Sequence, residues 1–97
     1  MIESDFQALN PVNNTKPKTL ASANVIAPTT FLTVLTGNTV VKTITPPITQ
    51  QHTLAIQFAG TAGVDATGNV ATAKASVNGE VMLLVYNPNT AKYVPVG

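Results

Sequence analysis

From Leu20 onward, glycine, proline and asparagine recur so closely that most of the stretches between them are of strand length, and those stretches tend to alternate with a period of two. The segment HTLAIQFAG sets Leu54, Ile56 and Phe58 on one side and Ala55, Gln57 and Ala59 on the other, the pattern of a half-buried strand closed by Gly60. TTFLTVLTGNTVVKTITPP reads as a hairpin: Thr30 to Leu35, a tight turn at Gly37-Asn38, then Thr39 to Thr45, stopped by Pro46-Pro47. EVMLLVYNPNTAKYVPV gives an apolar strand from Val81 to Tyr86, a turn at Asn87-Pro88-Asn89 and a return strand from Lys92 to Val96. Val81, Leu83 and Val85 face one way, and Met82, Leu84 and Tyr86 the other. That strand is therefore expected to be covered on both faces, in the middle of the sheet or at a subunit interface, with Val81, Leu83, Val85 and Tyr86 as its self-association or core residues. Between these strands, TAGVDATGNVATAKAS is a loop with at most one short strand, Asn69 to Ala73. There is no internal repeat, and the expected fold is all-β: a compact β-sandwich or barrel, jelly-roll-like, of six or seven short strands.

The opening residues, MIESDFQALNPVNNTKPKT, follow another rule. Glu3, Asp5, Lys16 and Lys18 crowd beside Pro11 and Pro17, and little there fills a core. Residues 1–19 read as an extended N-terminal arm and residues 20–97 as the all-β domain. Ser4 and Gln7 match a capping box, which puts Phe6 and Leu9 on one face of a helical turn ended by Pro11; the alternative is a tail without structure of its own.

A β domain of under eighty residues buries a low fraction of its surface and commonly leans on disulfides, metals or partners. This chain has no cysteine, one histidine and four carboxylates, so association is the remaining support. Charged residues are 9% of the chain, against roughly 25% in ordinary soluble domains. Threonine and valine take their place, which favours extended backbone and leaves a surface poorly protected against self-association. With no arginine, five scattered lysines and a net charge of +1, no basic stripe exists to meet phosphates, so nucleic acid is not an expected partner. No apolar run approaches a membrane span, and the first residues carry acids where a secretory signal needs lysines, so synthesis in a cytoplasm is expected.

Chemistry is sparse. His52 is the one conventional general base near neutral pH, and no serine, cysteine or acid stands close to it in sequence. Asp65-Ala66-Thr67-Gly68-Asn69 has oxygen side chains at alternate positions but lacks the further acids of a calcium loop. Asp65 and Glu80 are the only carboxylates outside the arm, too few for the paired acids of a glycosidase with any supporting cast. Tyr86, Tyr93, Phe31 and Phe58 suit a carbohydrate-binding face or, at strand spacing, a core. Asn13-Asn14-Thr15 matches a glycosylation acceptor with nothing else pointing to secretion. No residue takes a catalytic role, no cofactor motif is present, and the chain is not expected to be an enzyme.

The phrases LASANVIAPTTFLTVLTG, VVKTITPP, HTLAIQFAG, ATGNVA and VMLLVYNPNTAKYVPVG, in that order, resemble the small β domains of tailed-bacteriophage structural proteins, both capsid decoration (cement) proteins and the ends of tail fibres and spikes. The resemblance spans about Leu20 to Gly97. Fibre-type relatives often end in a hairpin with glycine and tryptophan, where this chain has Asn87-Pro88-Asn89 and Lys92-Tyr93. The chain is too short to include a fibre shaft, and an arm followed by one β domain is similar to cement proteins. That resemblance implies a homotrimer on the outer capsid surface of the virion, clamping neighbouring major capsid proteins. The arm would then be a strap, with Phe6, Leu9, Pro11, Lys16 and Lys18 as its capsid contacts. The competing expectation is a receptor-binding tip of a tail fibre or spike holding host glycan.

Overall fold

The computed structural model describes residues 16–96, and the described chain is all-β. Its strands are β1 (Lys18–Ala21), β2 (Val25–Ile26), β3 (Leu32–Thr36), β4 (Thr43–Ile44), β5 (His52–Ala59), β6 (Val81–Asn87) and β7 (Lys92–Val96). The expected helical turn around Phe6 and Leu9, and Pro11 after it, lie outside the described residues. Lys18 and Thr19, read from the sequence as arm, open β1 and pair with Thr33 and Val34.

Up to β5 the chain coils. Strands β1, β3 and β5 lie side by side in parallel in a main sheet, while β2 and β4 pair in parallel in a small second sheet. Each turn of the coil lays one strand in each sheet. A parallel bridge between Val41 and Val64 carries the second stack one turn further, and Lys74 pairs antiparallel with Val64 to end it. The coil stops at β5. There β6 returns antiparallel along β5 and β7 antiparallel along β6, giving the main-sheet order β1-β3-β5-β6-β7.

Two sequence expectations are corrected by this topology. The segment from Thr30 to Thr45 is not a hairpin: both edges of β3 are taken by parallel neighbours, β1 and β5, so β4 has no edge of β3 to return along. Gly37, at φ 86°, does turn the chain, but towards the second sheet. Nor do the strands close into a barrel, because β1 and β7 end the main sheet without pairing with each other.

Polar side chains stack the turns of the coil in register. Ser22 Oγ accepts a hydrogen bond from the Thr39 amide at 3.1 Å. One turn on, Asn38 Oδ1 accepts from the Thr61 amide at 2.9 Å and its hydroxyl at 3.1 Å. A Cβ at Gly60 would collide with the Gly37 carbonyl oxygen, so this stack needs a residue without a side chain there. On the second sheet, Asn69 behaves as a one-residue strand: its Nδ2 donates to the Ile44 carbonyl at 2.7 Å and its Oδ1 accepts the Ile44 amide at 2.8 Å. The Asn69 backbone also accepts the Tyr93 amide, and the Ala71 amide donates to the Tyr93 carbonyl, both at 2.7 Å. Asn69 to Ala71 therefore tie β4 of the small sheet to β7 of the large one.

The core fills the space between the sheets. Leu35, Leu54, Ile56, Phe58, Met82, Leu84 and Tyr93 point in from the main sheet and meet Ile26, Val41, Ile44, Val64 and Val70 from the other side. Burying side chains of this size contributes about 1.5–3 kcal/mol each, before the entropy of ordering them is set against it.

Candidate functional site

The sheet has a second face, and nothing among the described residues covers its far half. On β6, Met82, Leu84 and Tyr86 are buried in the core while Val81, Leu83 and Val85 are 52, 40 and 41% exposed. The expectation that this strand is covered on both faces is therefore corrected within the chain itself: β6 has one buried and one open face. On β7, Tyr93 is buried and Val94 and Val96 are 42 and 49% exposed. The register sets these residues beside one another, Leu83 opposite Val96 and Val85 opposite Val94. The result is a continuous apolar strip two strands wide.

Towards β5 and β3 the same face becomes smaller and better covered. Val81, Leu83 and Val85 lie beside Gln57, Ala55 and Thr53, and Leu32 and Val34 lie beyond them. Ala55 is buried because larger neighbours, Leu32 and Leu83, flank its small side chain. No acid stands on this face among the described residues, and its one cation is Lys92, at the corner opposite Asn87. A valine-rich surface with a single charge at its corner is costly to leave in water and offers little to steer a partner.

The sequence named Val81, Leu83 and Val85 but not Val94 and Val96. The signal for those two was present in KYVPV, whose alternation puts Tyr93 inward and both valines outward. Tyr86, named with the β6 set as self-association or core, lies on the core side. Of the arm residues, Lys16 is exposed and Lys18 sits on β1, away from this strip.

At one end of β5 and β6, residues Gln51 to Thr53, Val85 to Asn87 and Asn89 line an open cleft of about 460 Å³. His52 forms its floor with both ring nitrogens engaged. Nδ1 lies 2.7 Å from the Gln50 carbonyl oxygen, which only accepts, so Nδ1 carries the proton. Nε2 therefore accepts from the Tyr93 hydroxyl, 2.8 Å away. Tyr86 stacks on the imidazole at 5.0 Å between centroids and Tyr93 meets it edge-on at 5.5 Å. Burial, with Tyr86 beside it as a lesser cause, pushes the Tyr93 phenol above its ordinary range. His52 thus holds a structural aromatic cluster, and the cleft lining contains no carboxylate, serine or cysteine.

The two carboxylates of the domain are spent on their own turns. Asp65 Oδ1 accepts the Thr67 amide at 2.9 Å, an Asx turn, and Glu80 Oε1 accepts the Val77 amide at 3.1 Å. Among the described residues no three histidine, cysteine or acidic side chains gather where a metal ion would sit. Phe58 and Tyr93 are fully buried and Tyr86 nearly so, which leaves these three rings to the core rather than to a carbohydrate-binding face. Compared with known proteins, the chain matches no family model, no curated protein and no solved structure.

Proposed function

We propose that this chain is a capsid decoration protein of a tailed bacteriophage, made in the host cytoplasm, acting as a homotrimer bound to major capsid protein on the outer surface of the head, and working by binding rather than catalysis. The observation that carries this reading is the uncovered, uncharged apolar strip of β6 and β7. A small domain that leaves valines and a leucine open on one face of its main sheet is suited to life inside an assembly. The arm residues Phe6, Leu9, Pro11 and Lys16 are the proposed capsid contacts; they precede β1, which lies at the edge of the main sheet opposite β7.

A receptor-binding tip of a tail fibre or spike is the second reading. It is favoured by the outer edge of β1, which no strand among the described residues pairs with and where a parallel stack would be continued by strands of a shaft.

The test compares the intact chain with one lacking residues 1–15, a cut that spares β1, each sedimented with undecorated capsids. The intact chain is expected to pellet in many copies per head and the truncated one to stay in solution with its β-sheet circular dichroism unchanged. An intact chain that stays in the supernatant, or that is found in a few copies on tails, overturns the decoration reading.

A further inference from the structure

We propose that the occupant of the β6–β7 strip is a second copy of this chain, which supplies the layer that the main sheet lacks on its outer side. This deepens the reading above by naming the first partner of the same face, and it is tested with no capsid present.

Three features favour a second copy. The five side chains of the strip are uncharged, and the face's one cation among the described residues, Lys92, stands at its corner. Two copies can therefore meet through the valines and the leucine with both lysines left at the rim, whereas an acidic partner surface would find one charge to pair with. The strip is also regular and alternating. Val81, Leu83 and Val85 stand in one row, Val94 and Val96 in the next, with their neighbours fixed by register. Rows of this kind interdigitate with the equivalent faces of other copies gathered about one axis, at a spacing of about 10 Å. Finally, the domain measures 40 × 28 × 22 Å and buries only one face of its main sheet in its own core. A sheet apolar on both faces needs a layer on each.

Size sets the expected strength. The two open strands, about 4.8 Å apart and roughly 17 Å long, make a patch well below the area of a standard specific interface. Association is therefore expected to be weak, reached only at micromolar concentrations and above.

The experiment uses the full chain, sedimentation equilibrium across a concentration series, and Val85→Asp. Val85 is partly exposed, so the substitution is expected to keep the fold by circular dichroism while lowering the mass from an oligomer to a single copy. Because the chain has no cysteine, Val85→Cys gives a second readout that does not depend on that variant folding: mild oxidation is expected to yield disulfide-linked pairs, and Thr72→Cys, on an exposed loop, is expected to yield few. An intact chain that remains one copy at 100-fold above a micromolar concentration, or an oligomer that survives Val85→Asp in a folded protein, overturns the proposal. So does a single-copy protein that begins to associate once residues 1–15 are removed, since the chain's own arm would then be the occupant. Capsid binding by a protein that stays single-copy would leave decoration standing and sink this inference alone.

Discussion

The two faces of β6 are written in the same alphabet, valine, leucine and methionine on alternate positions, yet one is sealed and the other open. Met82 and Leu84 look into a core supplied by the coil beneath them, whereas Val81, Leu83 and Val85 look outward from the same seven residues. The difference does not come from hydrophobicity. It comes from which side of the sheet the coil wraps: β2, β4 and the Val64 and Val70 bridges all pack on one side, and among the described residues nothing packs on the other side of β6 and β7. An apolar side chain thus reports that burial is wanted but leaves open which molecule provides it.

The largest test of that contrast is a pair of truncations in dilute protein. Leu84→Ala opens a cavity in a fully buried site and is expected to cost about 2–5 kcal/mol. Leu83→Ala, its neighbour on the open face, is expected to cost well under half as much; urea midpoints measured side by side check the difference. Equal losses would mean that the outer face is already covered in the single copy.

Next in size is Tyr93→Phe, which leaves His52 Nε2 without its donor and is expected to cost about 1–3 kcal/mol. It also carries a pH signature. Burial holds the Tyr93 proton above the ordinary value of 10.0, so the folded state keeps a proton that the unfolded chain begins to lose. The stability involved is whole below pH 10 and falls as pH rises above it. Tyr93→Phe should therefore flatten the alkaline decline seen in urea titrations between neutral pH and pH 11, and an unchanged decline would assign it elsewhere.

The smallest effect concerns a flaw on the sealed face. Thr33 Oγ1 is buried without a hydrogen-bond partner among the described residues. Thr33→Val removes that unpaired hydroxyl and is expected to raise stability by up to about 1 kcal/mol. A clear loss in thermal unfolding would show that the hydroxyl is satisfied after all.

Much of the strand content was legible because it rests on local rules. β5 and β6 announce themselves by alternation, and Asn87-Pro88-Asn89 marks the turn into β7. Partner choice was not legible. Gly37-Asn38 has good turn chemistry, but a turn says only that the chain changes direction, and Thr33 finds Ile56 rather than a residue beyond the turn. The same limit hid the role of Asn69, read as the start of a possible short strand in a loop, whose amide serves Ile44 from twenty-five positions away. It also hid the pairing of His52 with Tyr93, forty-one positions apart. Of the candidate site, the β6 half could be read from the sequence as an apolar row. Its openness could not, because exposure depends on what the rest of the chain does.

The parallel stacking of the coil also governs the order of events during synthesis. Strand β3 needs β5 along one edge, and β5 is not available until Ala59 has been made. The ribosome therefore releases Leu20 through Ile44, with most of the residues that will line the second sheet, into water ahead of the strand they assemble upon. Non-local pairings of this type reward the chain only after long loops have closed, which makes them slow. The β6–β7 hairpin, by contrast, closes over a short turn as soon as its residues exist. The chain is thus made from its slow end first, and the interval before β5 arrives is when its apolar segments stand most exposed to the wrong neighbours.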